Sequence, residues 1–168
     1  KGELTYVEAA NSLQKIHVDN LYLSASTADI NISAVNVKNY NVTTTTGDLL
    51  INNNNEDINA NIAFNTKTGS FETSSTINGS FTVNSTVGSV GPNIKVKKIL
   101  GSFTYTSPSG NVSVESIGDE KTSKGANLII NSTNAKFSIG SVYGFTSVQP
   151  YNARENVSLN FDINYLYN

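Results

Sequence analysis

Apolar and polar residues alternate in short runs along this chain, and a small residue opens most of them. Gly79-Ser80-Phe81-Thr82-Val83 and Gly101-Ser102-Phe103-Thr104-Tyr105 show the pattern plainly: glycine, a polar residue, then two apolar residues separated by one polar position. Gly47-Asp48-Leu49-Leu50-Ile51, Gly69-Ser70-Phe71, Gly88-Ser89-Val90 and Gly110-Asn111-Val112-Ser113-Val114 repeat it, and Ala28-Asp29-Ile30-Asn31-Ile32 has the same shape. Alternation sends successive side chains to opposite faces, so each run predicts a short strand with one buried face. The glycines before the strands predict turns at Gly47, Gly69, Gly79, Gly88, Gly101 and Gly110, several of them with positive φ.

The spacing of the runs predicts how the strands associate. Gly47 and Gly69, Gly79 and Gly101, and Gly88 and Gly110 share one interval, about 22 residues, which is in the range of a solenoid coil. A strand this short cannot bury its apolar side alone, but equivalent strands of successive coils can pair in parallel about 4.8 Å apart. A shift of one period sets Phe81 against Phe103, Val83 against Tyr105, Leu49 against Phe71 and Val90 against Val112. The same shift sets Ser80 against Ser102, Thr82 against Thr104 and Ser89 against Asn111. The expected fold is therefore all-β, a single-stranded β-solenoid resembling a parallel β-helix, with about 22 residues per coil.

One domain over residues 1–168 is expected, with repeat coils over 24–145 between atypical terminal caps at 1–23 and 146–168. Within the first cap, Val7 to Ile16 reads as a short helical turn or an irregular strand. Gly118 to Gly125 is charged and reads as a protruding loop at a coil corner. The rhythm resumes at Leu128-Ile129-Ile130 and Phe137-Ser138-Ile139, and the alternating run from Val157 to Tyr165 closes the stack. Atypical ends are expected because the end of a solenoid is an open strand edge.

Composition narrows the function classes. Charged residues are 14% of the chain, against roughly 25% in an ordinary globular protein, and Asn, Ser and Thr fill the difference. The net charge is −2, and the cations are ten Lys and Arg154 alone, which argues against nucleic acid as a partner. The absence of Cys removes disulfides and thiolate metal sites. No apolar run approaches the roughly 18 residues of a membrane-spanning helix, so membrane attachment would need an anchor outside this sequence. A chain that opens on Lys1 and lacks Met reads as a processed product whose targeting segment has been removed. Asn-x-Ser/Thr triplets at Asn31, Asn41, Asn78, Asn84, Asn111, Asn131 and Asn156 are candidate glycan acceptors, although a chain this rich in Asn, Ser and Thr also produces such triplets by chance.

Candidate chemistry is sparse. Hydrolysis or elimination on a carbohydrate needs acids, or an acid with a base, converging on one face; Glu115, Asp119 and Glu120, with Lys121 and Lys124 nearby, are the densest group and read as a solvated loop. His17 is the only histidine, which disfavours a Ser-His-Asp arrangement. Oxygen ligands for a hard cation occur around Asp48, Asn52 to Asn55, Glu56 and Asp57, but without the glycine-punctuated spacing of a calcium loop they read as a polar corner. Tyr22, Tyr40, Tyr143, Tyr151, Tyr165 and Tyr167 could form a stacking platform for sugars, or belong to the core and caps. The sequence therefore assigns no catalytic, cofactor-binding or metal-binding residue.

The units Thr45-Thr46-Gly47-Asp48-Leu49 and Ser109-Gly110-Asn111-Val112 give residues 24 to 145 a likeness to a family. The chain resembles the bacterial and archaeal adhesin family of glycine-punctuated right-handed β-solenoids, a domain of unknown function. The resemblance implies a right-handed coil and a non-enzymatic, secreted or cell-surface module. Such a module would bind or space through an extended polar face, with a cell-surface glycan or protein as partner, as a monomer or weak homo-oligomer. The alternatives are a subunit of an extracellular filament or surface layer assembling by strand pairing, and a carbohydrate-active β-helix enzyme.

Overall fold

The computed structural model describes residues 3–7, 18–33, 37–52, 56–87, 89–121, 126–152 and 160–167, and every regular element among them is a β-strand. Strands β1 (Glu3–Val7), β3 (Asp29–Ser33), β5 (Leu49–Asn52), β7 (Phe71–Ile77), β9 (Asn93–Ile99), β11 (Ser109–Ile117), β13 (Asn134–Tyr143) and β15 (Asn160–Tyr167) form one sheet in that order. Strands β2 (Val18–Ala25), β4 (Val37–Thr44), β6 (Asn61–Asn65), β8 (Phe81–Asn84), β10 (Phe103–Thr106), β12 (Leu128–Asn131) and β14 (Thr146–Gln149) form the other. The chain passes from one sheet to the other at each corner and pairs in parallel with the preceding coil, which makes a β-solenoid of roughly 22 residues per coil.

The register repeats the expected stacking where the coil keeps the average length: Phe81 on Phe103, Val83 on Tyr105, Thr82 on Thr104 and Leu49 on Phe71. Between strands the corners absorb longer and shorter coils. Ile30 pairs with Leu49, 19 positions on, like the neighbouring Asp29 and Asp48. Val112 pairs with Phe137, 25 positions on, the same interval that separates Thr106 from Asn131 on the other sheet. The expected pairs Val90–Val112 and Ser89–Asn111 do not form. Val112 stacks on Ile94 and Asn111 on Asn93, a short coil of 18 positions, while Val90 lies in the preceding corner at 63% exposure. The alternating run Asn93-Ile94-Lys95-Val96, which lacks an opening glycine, takes the strand position, and Gly88 lies outside the described residues.

Inward residues of the two sheets interlock as one core, in which Ile30, Val42, Phe64, Ile77, Phe81, Val83, Ile99, Phe103, Tyr105, Leu128 and Ile139 are fully buried. A chain of rings runs through it. Phe64 meets Phe71 at 6.3 Å between centroids, Phe71 meets Phe81 at 4.9 Å, Phe81 stacks on Phe103 at 5.4 Å, Phe103 meets Tyr105 at 6.3 Å, and Tyr105 meets Phe137 edge-on at 5.4 Å. Tyr40, a candidate for an exposed platform, is 3% exposed and belongs to this core, because the alternation of β4 turns it inward beside Val42.

The glycines work differently from expectation. Gly47, Gly69, Gly79 and Gly101 do lie between strands, but positive φ among the described glycines occurs at Gly110 and Gly118, and Gly110 is inside β11. What the other four provide is close approach between coils. A Cβ at Gly47 would lie 1.8 Å from the carbonyl oxygen of Ala28, at Gly69 2.1 Å from that of Gly47, and at Gly79 2.3 Å from that of Ala60. By register, Ala28, Gly47, Gly69, Pro92, Gly110 and Ala135 form one column beside the first sheet, and Ala60, Gly79, Gly101, Ala126 and Gly144 a second beside the other. Both stand two positions before the first inward residue of each strand, where backbone runs against backbone.

The corner that carries the first of these columns is also closed by buried hydroxyls. Thr44, Thr66, Ser85, Ser107 and Ser132 stack one above another by register, each at most 5% exposed. Thr44 donates to Thr66 Oγ1 at 2.9 Å, and Thr66 Oγ1 accepts from the Gly69 N–H at 2.8 Å. Ser85 donates to the Lys67 carbonyl at 2.8 Å and Ser107 to the Ser109 carbonyl at 2.6 Å. These bonds satisfy backbone groups that leave the strand ladder where the chain turns.

Candidate functional site

Two outward sheet faces are the extended surfaces of the molecule, and side chains on them are tied from coil to coil. On the seven-stranded sheet, Asn39 Nδ2 donates to Asn20 Oδ1 at 2.9 Å and Asn61 Nδ2 to Asn39 Oδ1 at 3.0 Å. The line continues through backbone donors: Ser80 N–H to Asn61 Oδ1 at 2.9 Å, Ser102 N–H to Ser80 Oγ at 3.3 Å, Asn127 N–H to Ser102 Oγ at 3.2 Å, and Phe145 N–H to Asn127 Oδ1 at 3.2 Å. A shorter line marks the eight-stranded sheet, where Asp29 accepts from the Asp48 N–H, Asp48 from the Ser70 N–H, and Asn93 from Asn111 Nδ2. Short polar residues one position before the first inward residue are thus strapped at the spacing of the strands.

The sequons belong largely to these straps. Asn78, Asn84, Asn111 and Asn131 donate Nδ2–H to Asn59, Asn65, Asn93 and Thr106 of the preceding coil. The amide nitrogen that a glycan would take is therefore already used in holding coils together. Asn31 and Asn41 lie at outward positions of β3 and β4, and Asn156 lies outside the described residues.

Charged side chains gather on the eight-stranded face, while an exposed Lys38–Asp19 pair at 2.9 Å stands on β4 and β2 of the other sheet. Glu72, Lys95, Lys97 and Glu115 line a shallow depression of about 200 Å³, and Lys95 Nζ lies 2.7 Å from Glu72 Oε1. Both groups are well exposed, so this pair adds little stability; the hydrogen bond and charge of Glu72 hold the Lys95 ammonium above its ordinary pKa. A neighbouring depression of about 360 Å³ is bordered by the outward Asn93, Lys95, Asn111, Ser113, Lys136 and Ser138.

The sequence candidates for chemistry are spread out. Glu115 is on the outer face of β11, Asp119 pairs with Lys98 at 3.2 Å in the following corner, Glu120 and Lys121 are exposed there, and Lys124 lies outside the described residues. His17 and Asn53 to Asn55 lie outside them too. Among the described residues, no group of three or more His, Cys, Asp or Glu side chains is placed to hold a metal ion. Tyr22 is 73% exposed on β2 while Tyr143 ends β13 near the other end of the stack, so these two share no platform. Sequence reading set Ser80 against Ser102, one step of this line, and missed its extension along the stack. Its signal was the Asn or Ser that recurs just before the first inward residue, as at Asn20, Asn39 and Asn61, where no glycine marks the unit.

A search of curated proteins found no match, and neither did a search of solved structures. The family model described as Toastrack DUF4097 matches residues 2–155, almost the whole of the solenoid, and the chain accordingly belongs to the Toastrack DUF4097 family.

Proposed function

We propose that this domain is a non-catalytic module of a secreted or cell-surface protein, which binds or spaces through its extended polar sheet faces. The observation that carries the reading is the line of hydrogen bonds from Asn20 to Phe145, which holds short polar side chains in a fixed row along the stack. A row of this kind offers a polymer the same shallow contact once per coil. Each contact is weak because the side chains are short and solvated, and affinity comes from many contacts made together and from display of many copies. The acids that an enzyme reading would use do not converge: Glu115 is on a sheet face and Asp119 is engaged by Lys98 in a corner.

The test sets a glycan array, probed with a multimerised form of the domain, beside a panel of polysaccharide-degradation assays. Multivalent binding without turnover is expected, weakened when Asn111→Ala and Lys136→Ala alter the larger depression. Turnover that is lost on replacing Glu115, Asp119 or Glu120 with Ala would overturn the reading.

A further inference from the structure

We propose that the larger depression on the eight-stranded face binds an acidic polysaccharide, one in which carboxylate-bearing sugars are separated by neutral ones. The inference rests on the reading that the domain binds through its outer faces, and names the class of polymer this site takes. It starts from the shape of the face. On β9, β11 and β13 the residues on either side of the inward Ile94, Val112 and Phe137 point outward, so they rise as two walls over a backbone floor. Register stacks Asn93, Asn111 and Lys136 in one wall, and Lys95, Ser113 and Ser138 in the other. The depression of about 360 Å³ therefore runs along the solenoid axis, and all six wall residues are exposed.

The charge of the walls selects the ligand. Lys136 and Lys95 stand at diagonally opposite corners, about 12 Å apart by strand spacing and rise, and no carboxylate lines the depression with them. This is a positive site on a chain whose net charge is −2. Lys136 has no ion-pair partner among the described residues, so its ammonium is ready to take a carboxylate in a charge-assisted hydrogen bond. The rest of the walls is neutral and polar. Asn111 Nδ2 donates to Asn93 Oδ1 at 2.8 Å, which fixes both amides and leaves Asn93 Nδ2 and Asn111 Oδ1 to a ligand. Ser113 and Ser138 present hydroxyls on the other side. Sugar hydroxyls both donate and accept, and they match such a set.

Acidic residues occupy the positions around the site. Glu72 is level with Lys95 on β7, Asp162 is level with Ser138 on β15, and Glu115 lies two residues beyond Ser113 on β11. A polymer charged at every unit would run onto these positions as soon as it left the two lysines. Nucleic acid is such a polymer, and the walls hold neither Arg nor an aromatic side chain on which bases could stack. A polysaccharide with neutral sugars between its carboxylates sets one carboxylate at a lysine and lays hydroxyls along the amides and serines.

Glu72 acts at this site as a built-in competitor. Its Oε1 already accepts from Lys95 Nζ at 2.7 Å, the place a ligand carboxylate would take at that corner. Both side chains of the pair are well exposed, so little stability is lost when the ligand displaces Glu72. Lys136 thus anchors the polymer, and Lys95 joins when Glu72 gives way.

The experiment displays the 168-residue chain in many copies on a sensor surface and measures binding of four probes. These are hyaluronan, whose carboxylated sugar alternates with a neutral one, the same polymer with its carboxyl groups reduced to alcohols, dextran, and single-stranded DNA. Hyaluronan should bind best, and its binding should weaken as salt is added. Carboxyl reduction and Lys136→Gln should each weaken it by about tenfold or more, Glu72→Gln should strengthen it by freeing Lys95, and Lys38→Gln on the other sheet should leave it unchanged. Circular dichroism should be the same for all variants. Equal binding of hyaluronan and its reduced form, indifference to Lys136→Gln, or tighter binding of DNA would overturn this inference. Binding of dextran in preference to hyaluronan would overturn it while leaving the broader reading in place, and failure to bind any of the polysaccharides, there and on the glycan array, would overturn both.

Discussion

Phe103 lies between Phe81 and Leu128 in the stack, is fully buried, and has its ring 5.4 Å from that of Phe81. Phe103→Ala should cost roughly 3–5 kcal/mol, because a corner-to-corner stack cannot collapse into the space; urea unfolding of the two proteins measures it. Tyr105 is the buried member of the ring chain with a polar end, and its hydroxyl donates to the Ser109 carbonyl at 2.8 Å. Burial raises its pKa well above the ordinary value of 10.0. The native state therefore holds the phenol neutral while the unfolded chain ionises it. This contribution to stability is fully present below about pH 10 and is lost as pH rises above it. Stability measured against pH should fall on the alkaline side, and Tyr105→Phe should flatten that fall at the cost of about 1 kcal/mol near neutrality for the lost hydrogen bond.

At the scale of strands and corners, glycine is demanded by proximity. Gly47→Ala would drive a Cβ into the Ala28 carbonyl, 1.8 Å away and part of the backbone, so neither partner can turn aside. The expected cost is about 1–3 kcal/mol, as for other overpacked sites, whereas Ser113→Ala on the outer face should change stability by less than about 0.5 kcal/mol. Denaturation midpoints of the two variants separate these outcomes. The strands themselves were legible, because alternation such as Phe81-Thr82-Val83 is a local property of the chain. The role of the glycines was not, since a turn and a close approach to another coil select the same residue. Ile94 shows the same limit from the other side. Its strand follows Gly91-Pro92 rather than the usual opening, and the rival run Gly88-Ser89-Val90 matched the period although its Ser89 and Val90 lie in a corner.

Across the whole molecule each coil touches only its neighbours, so stability is built from a sum of adjacent interfaces. Among the described residues, inner strands have a partner on both sides and terminal ones on a single side. Hydrogen exchange on dilute protein should accordingly be slowest at Phe64, Val83 and Phe103, and faster in β2 and β14; equal protection from end to end would contradict the summed-interface picture.

The sequence by itself determined that this protein is a β-solenoid with a repeat of roughly 22 residues, because a period of two within strands and a recurring small residue between them are both written in the linear order. It also determined that Phe81 meets Phe103 and Leu49 meets Phe71, since those coils keep the average length. Only the tertiary structure decided the rest. Corners accommodate coils that advance by 18, 19 or 25 positions, and the length of a corner leaves no periodic trace. Tyr40 inside, Tyr22 outside, and the Asn and Ser straps across the sheet depend on which residues of different coils come level. Register fixes that, through backbone pairing and core packing together, and no stretch of sequence carries it alone.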